Sequence, residues 1–440
     1  MTALEPKEFF NRRRRLMRKM KRNSIAIITA APISIRNRDV EFPYRQDSDF
    51  HYLTGFPEPS AIAVLVPFRK KASFMLFVRP FDPEKAIWTG PQAGLEGAVE
   101  HYGADMAYPA ERFFEELPGL LGTCDRVYFA FGQDSVLDER ILAEIQKLRG
   151  QSRSGTQAPK HVSDLSPLIH EQRLIKSEAE IDLMRVAARA SAEGHCQAMK
   201  MTRPGLLESD IEAEIHHAFA RRHLRYLAYP SIVAGGQNAC TLHYTDNNQP
   251  LRDGDLLLID AGAECENYAA DITRTFPVNG RYSEAQRTLY EVVLLAQKAA
   301  IAKVRPGASF NDPHEAAVLE LTRGLVSLGI LKGDPKALVK SEAYRPFYMH
   351  RTSHWLGLDV HDVGAYKLEG QWRTLEAGMV LTIEPGLYIA PGTQGVDSVY
   401  HGIGIRIEDD VLVTETGHEV LTEQVPKEID AIEGLMGSPP

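Results

Sequence analysis

Two stretches in the second half of this chain repeat one another, and that repeat limits its fold more than any other feature. A helical stretch runs into Arg203-Pro204-Gly205 and a second capped helix; further on, another helical stretch runs into Arg305-Pro306-Gly307 and another capped helix. The apolar segment Gly254-Asp255-Leu256-Leu257-Leu258-Ile259-Asp260-Ala261-Gly262 then has a counterpart in Gly378-Met379-Val380-Leu381-Thr382-Ile383-Glu384-Pro385-Gly386, with Asp260 opposite Glu384. An apolar strand between glycines is common by chance, and the matching Arg-Pro-Gly units make duplication the better account. A chain that repeats helix, helix and strand hairpin folds with pseudo-twofold symmetry, which sets the two matching carboxylates near a shared axis. Helix starts are marked by capping-box spacings at Ser177 with Glu180, Ser209 with Glu212 and Ser283 with Gln286, and by Asp312 with Pro313 and Glu315.

The carboxylates gain meaning from their spacing. Asp260 and Asp271 are equidistant from the midpoint between Cys265 and Glu266, so an antiparallel hairpin centred there sets them side by side on one face. A single Asp at a strand end is ordinarily a turn residue; two facing acids destabilise a sheet unless a cation lies between them. In Ile403-Gly404-Ile405-Arg406-Ile407-Glu408 the isoleucines alternate with Arg406 and Glu408, so one face is buried and Glu408 turns to the other, beside Glu384. With His354 the set is four carboxylates and one imidazole without a thiolate, which suits Mn, Co, Fe or Zn better than Cu or a structural zinc. Four acids exceed the need of one divalent ion. Two ions about 3.5–4 Å apart, bridged by carboxylates and a hydroxide, use them all, which points to a dinuclear hydrolase.

His243, His350 and His361 bracket these acids in sequence. Each alone reads as a structural histidine; together they suit donors for a developing oxyanion and a leaving amine. Cys240 near His243 reads as a packed thiol, and no Gly-x-Ser-x-Gly elbow or phosphate loop occurs.

Elsewhere the chain is ordinary. A formal charge of -9 from 50 basic and 59 acidic residues is the wrong sign for a nucleic-acid or anionic-membrane binder, and no apolar run is long enough to span a bilayer. Cys124, Cys196, Cys240 and Cys265 form no CxxC pair, which fits a reducing, cytoplasmic setting. Arg12 to Arg15 read as part of a solvated basic helix. Strand-like runs at 24–29, 61–66, 73–78 and 126–131 alternate with helical stretches up to Arg149, which predicts a first α/β domain over 1–170 and a second domain over 171–440. The polar stretch Gln151 to Lys160 reads as a loop or a linker.

The strings LHYTDN (242–247), GDLLLIDAG (254–262), YAADITRTFPVNG (268–280), SHWLGLDVHDVG (353–364), MVLTIEPGLYIAP (379–391) and GIGIRIEDD (402–410) closely resemble the aminopeptidase P, or Xaa-Pro aminopeptidase, branch of the metallopeptidases that include prolidase and methionine aminopeptidase. EFPYRQDSDFHYLTGF (41–56) extends the resemblance over nearly the whole chain. It implies an N-terminal α/β domain followed by a pseudo-twofold pita-bread α/β (α+β) domain. It further implies two divalent ions, most often manganese, on positions matching Asp260, Asp271, His354, Glu384 and Glu408, with a bridging hydroxide attacking the first peptide bond of substrates with proline second. Glu384 matches a proton-transfer acid, His243 and His361 match residues that steady the tetrahedral intermediate, and His350 matches the proline-side pocket. Tyr388 and Arg406 fall where the family lines its site. Trp88 matches a position that reaches a neighbouring subunit's site in dimeric or tetrameric members, with simple packing as the plain alternative.

One departure stands out. The family commonly has Gly after the first histidine of the HxxxH segment, whereas Arg351 and Thr352 follow His350 here. Arg351 therefore reads as a cationic, substrate-facing change at the mouth of the proline pocket. The alternatives are a prolidase confined to Xaa-Pro dipeptides and a binding module that has given up catalysis; the intact metal positions and the first domain weigh against both.

Overall fold

A computed structural model describes residues 4–69 and 71–437, and divides after Arg173 into two compact units. In the first, apolar runs form the strands and amphipathic stretches cover them. In chain order the elements are α1 (Pro6–Lys19), β1 (Ser24–Thr29), a small hairpin β2 (Ile35–Asn37) and β3 (Val40–Glu41), α2 (Ser48–Thr54), β4 (Ile62–Leu65), β5 (Phe74–Val78), α3 (Pro83–Thr89) and α4 (Gly94–Glu100). They continue with β6 (Met106–Pro109), α5 (Phe113–Leu121), β7 (Arg126–Phe129), α6 (Ser135–Gly150), β8 (His161–Asp164) and α7 (Ser166–Arg173). The mixed sheet runs β6-β5-β4-β1-β7-β8, antiparallel across β4 and parallel elsewhere. Ile25, Ile27, Val64, Met75, Phe77, Val127 and Phe129 pack on Phe113, Leu117, Ile141 and Ile145. Each such burial contributes about 1.5–3 kcal/mol.

Two expectations change here. The basic helix is not simply solvated: Arg12 and Arg13 are buried, Arg12 over the Tyr52 ring and bonded to the Tyr52 carbonyl, Arg13 over the Phe74 ring and bonded to the Leu53 carbonyl at 2.8 Å. Flat guanidinium faces stack on aromatics while their N–H groups satisfy carbonyls, so a charge run in sequence became half a core. The stretch 151–160 is a loop inside this unit, because β8 beyond it pairs with β7.

The second unit carries the repeat. Its first half comprises α8 (Glu178–Met201), α9 (Glu208–Arg221), β9 (Ile232–Gly235), β10 (Leu256–Asp260), β11 (Glu264–Cys265), β12 (Tyr268–Ala269) and β13 (Thr273–Pro277). The second comprises α10 (Glu284–Ile301), α11 (Asp312–Ser327), α12 (Pro335–Lys340), β14 (Lys367–Leu368), β15 (Gln371–Trp372), β16 (Val380–Ile383), β17 (Gly386–Ile389), β18 (Ile403–Arg406), β19 (Asp409–Val413) and β20 (His418–Val420), before α13 (Ile429–Met436).

The duplication extends to single hydrogen bonds. Gly205 and Gly307 turn at φ +93 and +84, a region glycine enters without steric cost. The Gly205 amide bonds Leu251 O and the Gly307 amide bonds Leu375 O, each at 2.9 Å, and the Leu251 and Leu375 amides return to Leu206 O and Ala308 O at 2.8 Å. The box at Ser283 forms, and at Ser177 only its Glu180 half does, the carboxylate accepting from the Ser177 amide at 2.8 Å while the Ser177 hydroxyl finds no partner. The one expected at Ser209 does not form: α9 starts at Glu208, the Asp210 carboxylate caps the Leu207 amide at 2.8 Å, and buried Glu208 instead accepts from Gly235 N, Asn238, Tyr244 and Gln249 N. The halves meet where the Thr275 hydroxyl bonds Arg406 O and the Glu408 amide bonds Thr273 O, both at 3.0 Å.

Candidate metal centre

The hairpin that delivers Asp260 and Asp271 turns one residue later than its sequence midpoint. Glu266 and Asn267 both have positive φ, +48 and +69, the signature of a tight two-residue turn, and the register pairs Asp260 with Thr273. Asp260 and Asp271 are therefore diagonal rather than directly opposite. They still share a face, because the register differs by an even number of residues from the expected one. Gly262 makes this approach feasible: a Cβ there would lie 1.7 Å from the Ala270 carbonyl oxygen.

In the second half the ladders β16–β19 and β17–β18 keep one register, Ile383 with Asp409 and Gly386 with Arg406, which sets Glu384 across from Glu408 in the gap between them. The gap arises because both amides bond elsewhere, Glu384 N to Thr352 O at 2.8 Å and Glu408 N to Thr273 O. The expected single buried face of this strand is corrected: Ile403 to Glu408 is buried on both faces.

These elements converge on a cavity of about 280 Å³ lined by Asp260, Asp271, Glu384, Glu408, His354, His243, His361, His350, Arg351 and Arg406, with Leu242 and Ser353. Ligand atoms of Asp271, His354 and Glu408 lie within 4.8 Å of one another. His354 Nε2 stands 3.5 Å from Asp271 Oδ2 and 3.4 Å from Glu384 Oε1. Arg406 Nη2 donates to Asp260 Oδ2 at 2.7 Å and Nη1 to the Tyr388 hydroxyl at 3.1 Å, and that hydroxyl is 2.8 Å from His350 Nε2. His350 Nδ1 is 3.5 Å from Glu384 Oε2, and the His361 ring stands edge-on to His354 with centroids 4.4 Å apart. Tyr388 is buried behind this group, and His243 and His361 are exposed on the cavity side. Trp88 does not line the cavity; on α3 of the first unit it is 87% exposed, so packing does not account for it.

The electrostatics are those of acids short of cations. Burial, then the Asp260 charge, pushes Asp271 up; burial lifts Glu384 to about 7 and, with Asp271 and Glu384, holds Glu408 well above the usual range. Burial alone would depress His354, but the Asp271 hydrogen bond and the charges of Glu384 and Asp271 raise it to about 9. His350 is held down to about 3 by burial and by Arg406. Of the two arginines lining the cavity, only Arg406 pairs with one of the four carboxylates among the described residues, so divalent ions fit this donor set and relieve its repulsion.

Two contributors escaped the sequence. The Tyr229 hydroxyl lies 2.7 Å from Asp260 Oδ1 and 2.5 Å from Asp271 Oδ1, sharing one proton between them. Thr273 donates to Glu408 Oε2 at 2.6 Å. No spacing in the sequence links Tyr229 to these acids; pairing of β9 with β10 brings it over them.

Residues 182–415 match the model of metallopeptidase family M24, and residues 9–128 match the aminopeptidase P N-terminal domain. The chain is 47% identical to the Xaa-Pro aminopeptidase of Escherichia coli, covering 99% of both. Among solved structures it matches Pseudomonas aeruginosa aminopeptidase PepP with TM-score 0.97 at 51% identity over 99% of both chains. It matches Zn-substituted E. coli aminopeptidase P in complex with product with TM-score 0.95 at 47% identity, over 99% of this chain and 98% of that one. The second unit thus has the pita-bread architecture, and the chain belongs to the M24 metallopeptidases that carry an aminopeptidase P N-terminal domain.

Proposed function

We propose that this protein is a metal-dependent aminopeptidase that hydrolyses the bond between an N-terminal residue and a following proline. The observation that carries the reading is the convergence of four carboxylates and His354 on one cavity, in a chain 47% identical along its full length to the E. coli Xaa-Pro aminopeptidase. Asp260, Asp271, His354, Glu384 and Glu408 hold two ions, manganese by preference. Bound divalent ions supply a nucleophilic water at neutral pH and polarise the scissile carbonyl.

The remaining work falls to the chain. Glu384 takes the proton of the attacking water and passes it to the leaving nitrogen. His243 and His361 donate to the developing oxyanion. His350, fixed by Tyr388, forms the proline-side wall, and Arg406 neutralises Asp260. Exposed Ile87 and Trp88 on α3 are the surface we assign to self-association as a dimer or tetramer. Four free cysteines suit a reducing cytoplasm.

Metal-stripped protein with and without manganese, assayed on an Xaa-Pro-Yaa tripeptide, an Xaa-Pro dipeptide and an Xaa-Ala-Yaa control, tests this. Manganese-dependent release of Xaa from the proline tripeptide alone is expected. Turnover confined to the dipeptide makes the protein a prolidase instead.

A further inference from the structure

Arg351 is a cavity-lining cation with no carboxylate within 4 Å among the described residues, Glu315 acting on it only from farther off. Its guanidinium carbon sits 4.6 Å from the Trp372 ring centroid, and one Nη donates to Asn311 Oδ1. The nearby Glu315 carboxylate is taken up by the Asn311 amide at 2.6 Å. Lys367 Nζ, across β14–β15 from Trp372, stands 4.4 Å from the same indole, so two cations stack on this one ring. Stacking holds the guanidinium in place and leaves the rest of its donor fork open, which is how a preformed carboxylate receptor is built.

We infer that Arg351 selects peptides bearing a carboxylate just beyond the proline, an inference that rests on the aminopeptidase reading above. The cavity is polar in a directed way. The acids and His354 line it together with Arg351, which follows His350, whose ring is 3.5 Å from Glu384. A bound peptide runs from its cationic amine among the acids to whatever lies two residues past the scissile bond, about 7 Å of extended chain. In a tripeptide that group is the C-terminal carboxylate; in a longer peptide it is an acidic side chain at the third position. Both are the same chemistry to a guanidinium fork.

Steady-state kinetics on Ala-Pro-Ala, Ala-Pro-Ala-amide and Ala-Pro-Glu-amide, with the wild type, Arg351→Met and Arg351→Glu, test the inference. The wild type is expected to show a KM about 10-fold lower for the free acid than for its amide, the scale of one charge-assisted hydrogen bond. Arg351→Met narrows that ratio to about twofold, and Arg351→Glu inverts it. A low KM for Ala-Pro-Glu-amide assigns the receptor to any third-position carboxylate, and a high one to the C-terminus alone; both uphold it. Equal KM values on all three peptides, or an acid preference that survives in Arg351→Met, overturn it. Turnover of the amides then still upholds the aminopeptidase reading, whereas silence on every peptide overturns that reading and the inference together.

Discussion

The two halves of the second unit build the same frame and furnish it differently. Each half sets a glycine turn against a leucine, 205 against 251 and 307 against 375, and each ends an apolar strand on an acid, Asp260 or Glu384. The connection from 206 to 251 is short, and the one from 308 to 375 is longer. The longer one alone carries α12, His350, Arg351, His354 and His361. The carboxylate frame is therefore duplicated, while most of the imidazoles and the unengaged cation belong to one half. Four of the five proposed ion ligands thus lie on or beside the repeated strands, while the fifth, His354, and most of the proposed substrate-handling residues lie on the longer connection.

The largest effect is expected where the added segment is pinned. Lys176 and Asp362, both buried, pair at 3.0 Å next to His361. Lys176→Met removes the cation paired with buried Asp362 and should destabilise the unit by about 3–5 kcal/mol in urea titrations. An unchanged midpoint would mean that the added segment is held some other way.

The repeated glycines come next. Gly262→Ala drives a methyl into the Ala270 carbonyl at 1.7 Å, whereas Gly386→Ala meets the Tyr388 hydroxyl at 2.6 Å and the Ile405 carbonyl at 2.7 Å. Costs of about 3 and about 1–2 kcal/mol are expected from thermal unfolding, in that order. Equal costs would show the halves to be mechanically equivalent.

Tyr229→Phe removes the proton shared by the two acids of the first half. It should weaken metal binding by about 10- to 100-fold, read by isothermal titration, because the groups that orient ligands matter on that scale. No change would mean that the diagonal acids hold their positions unaided.

A change outside both halves gives the smallest effect and a control. His51 in the first unit is held down to about 3 by burial and by Arg12, and its Nε2 has no partner. The unfolded chain binds this proton near pH 6.5, so the contribution is present above 6.5 and is lost as pH falls toward 3. His51→Phe should remove about 1–2 kcal/mol of the stability lost between pH 6.5 and 5, with catalysis unaltered. A pH-stability profile identical to the wild type would contradict it.

The sequence revealed the frame more readily than its register. Arg-Pro-Gly and the paired apolar strands announced the repeat, and period and spacing led to the four acids and His354. The hairpin centre was misplaced because Glu266-Asn267 adopts a turn that sequences usually mark with Asn-Gly, so no residue flagged it. The burial of Arg12 and Arg13 was hidden because a charge run looks solvated until Tyr52 and Phe74 arrive from distant strands and helices. Tyr229 stayed invisible for the same reason, its partners being supplied by strand pairing alone.

The central claim is that acids from both halves are needed to hold two ions. Elemental analysis of the manganese-loaded wild type beside Asp271→Ala and Glu408→Ala, each also assayed on an Xaa-Pro-Yaa tripeptide, tests it most directly. Two ions per wild-type chain, fewer in each variant, and a loss of more than about 10³-fold in turnover whichever half is altered are expected. One ion per wild-type chain, or full turnover after losing the acid of either half, would contradict it.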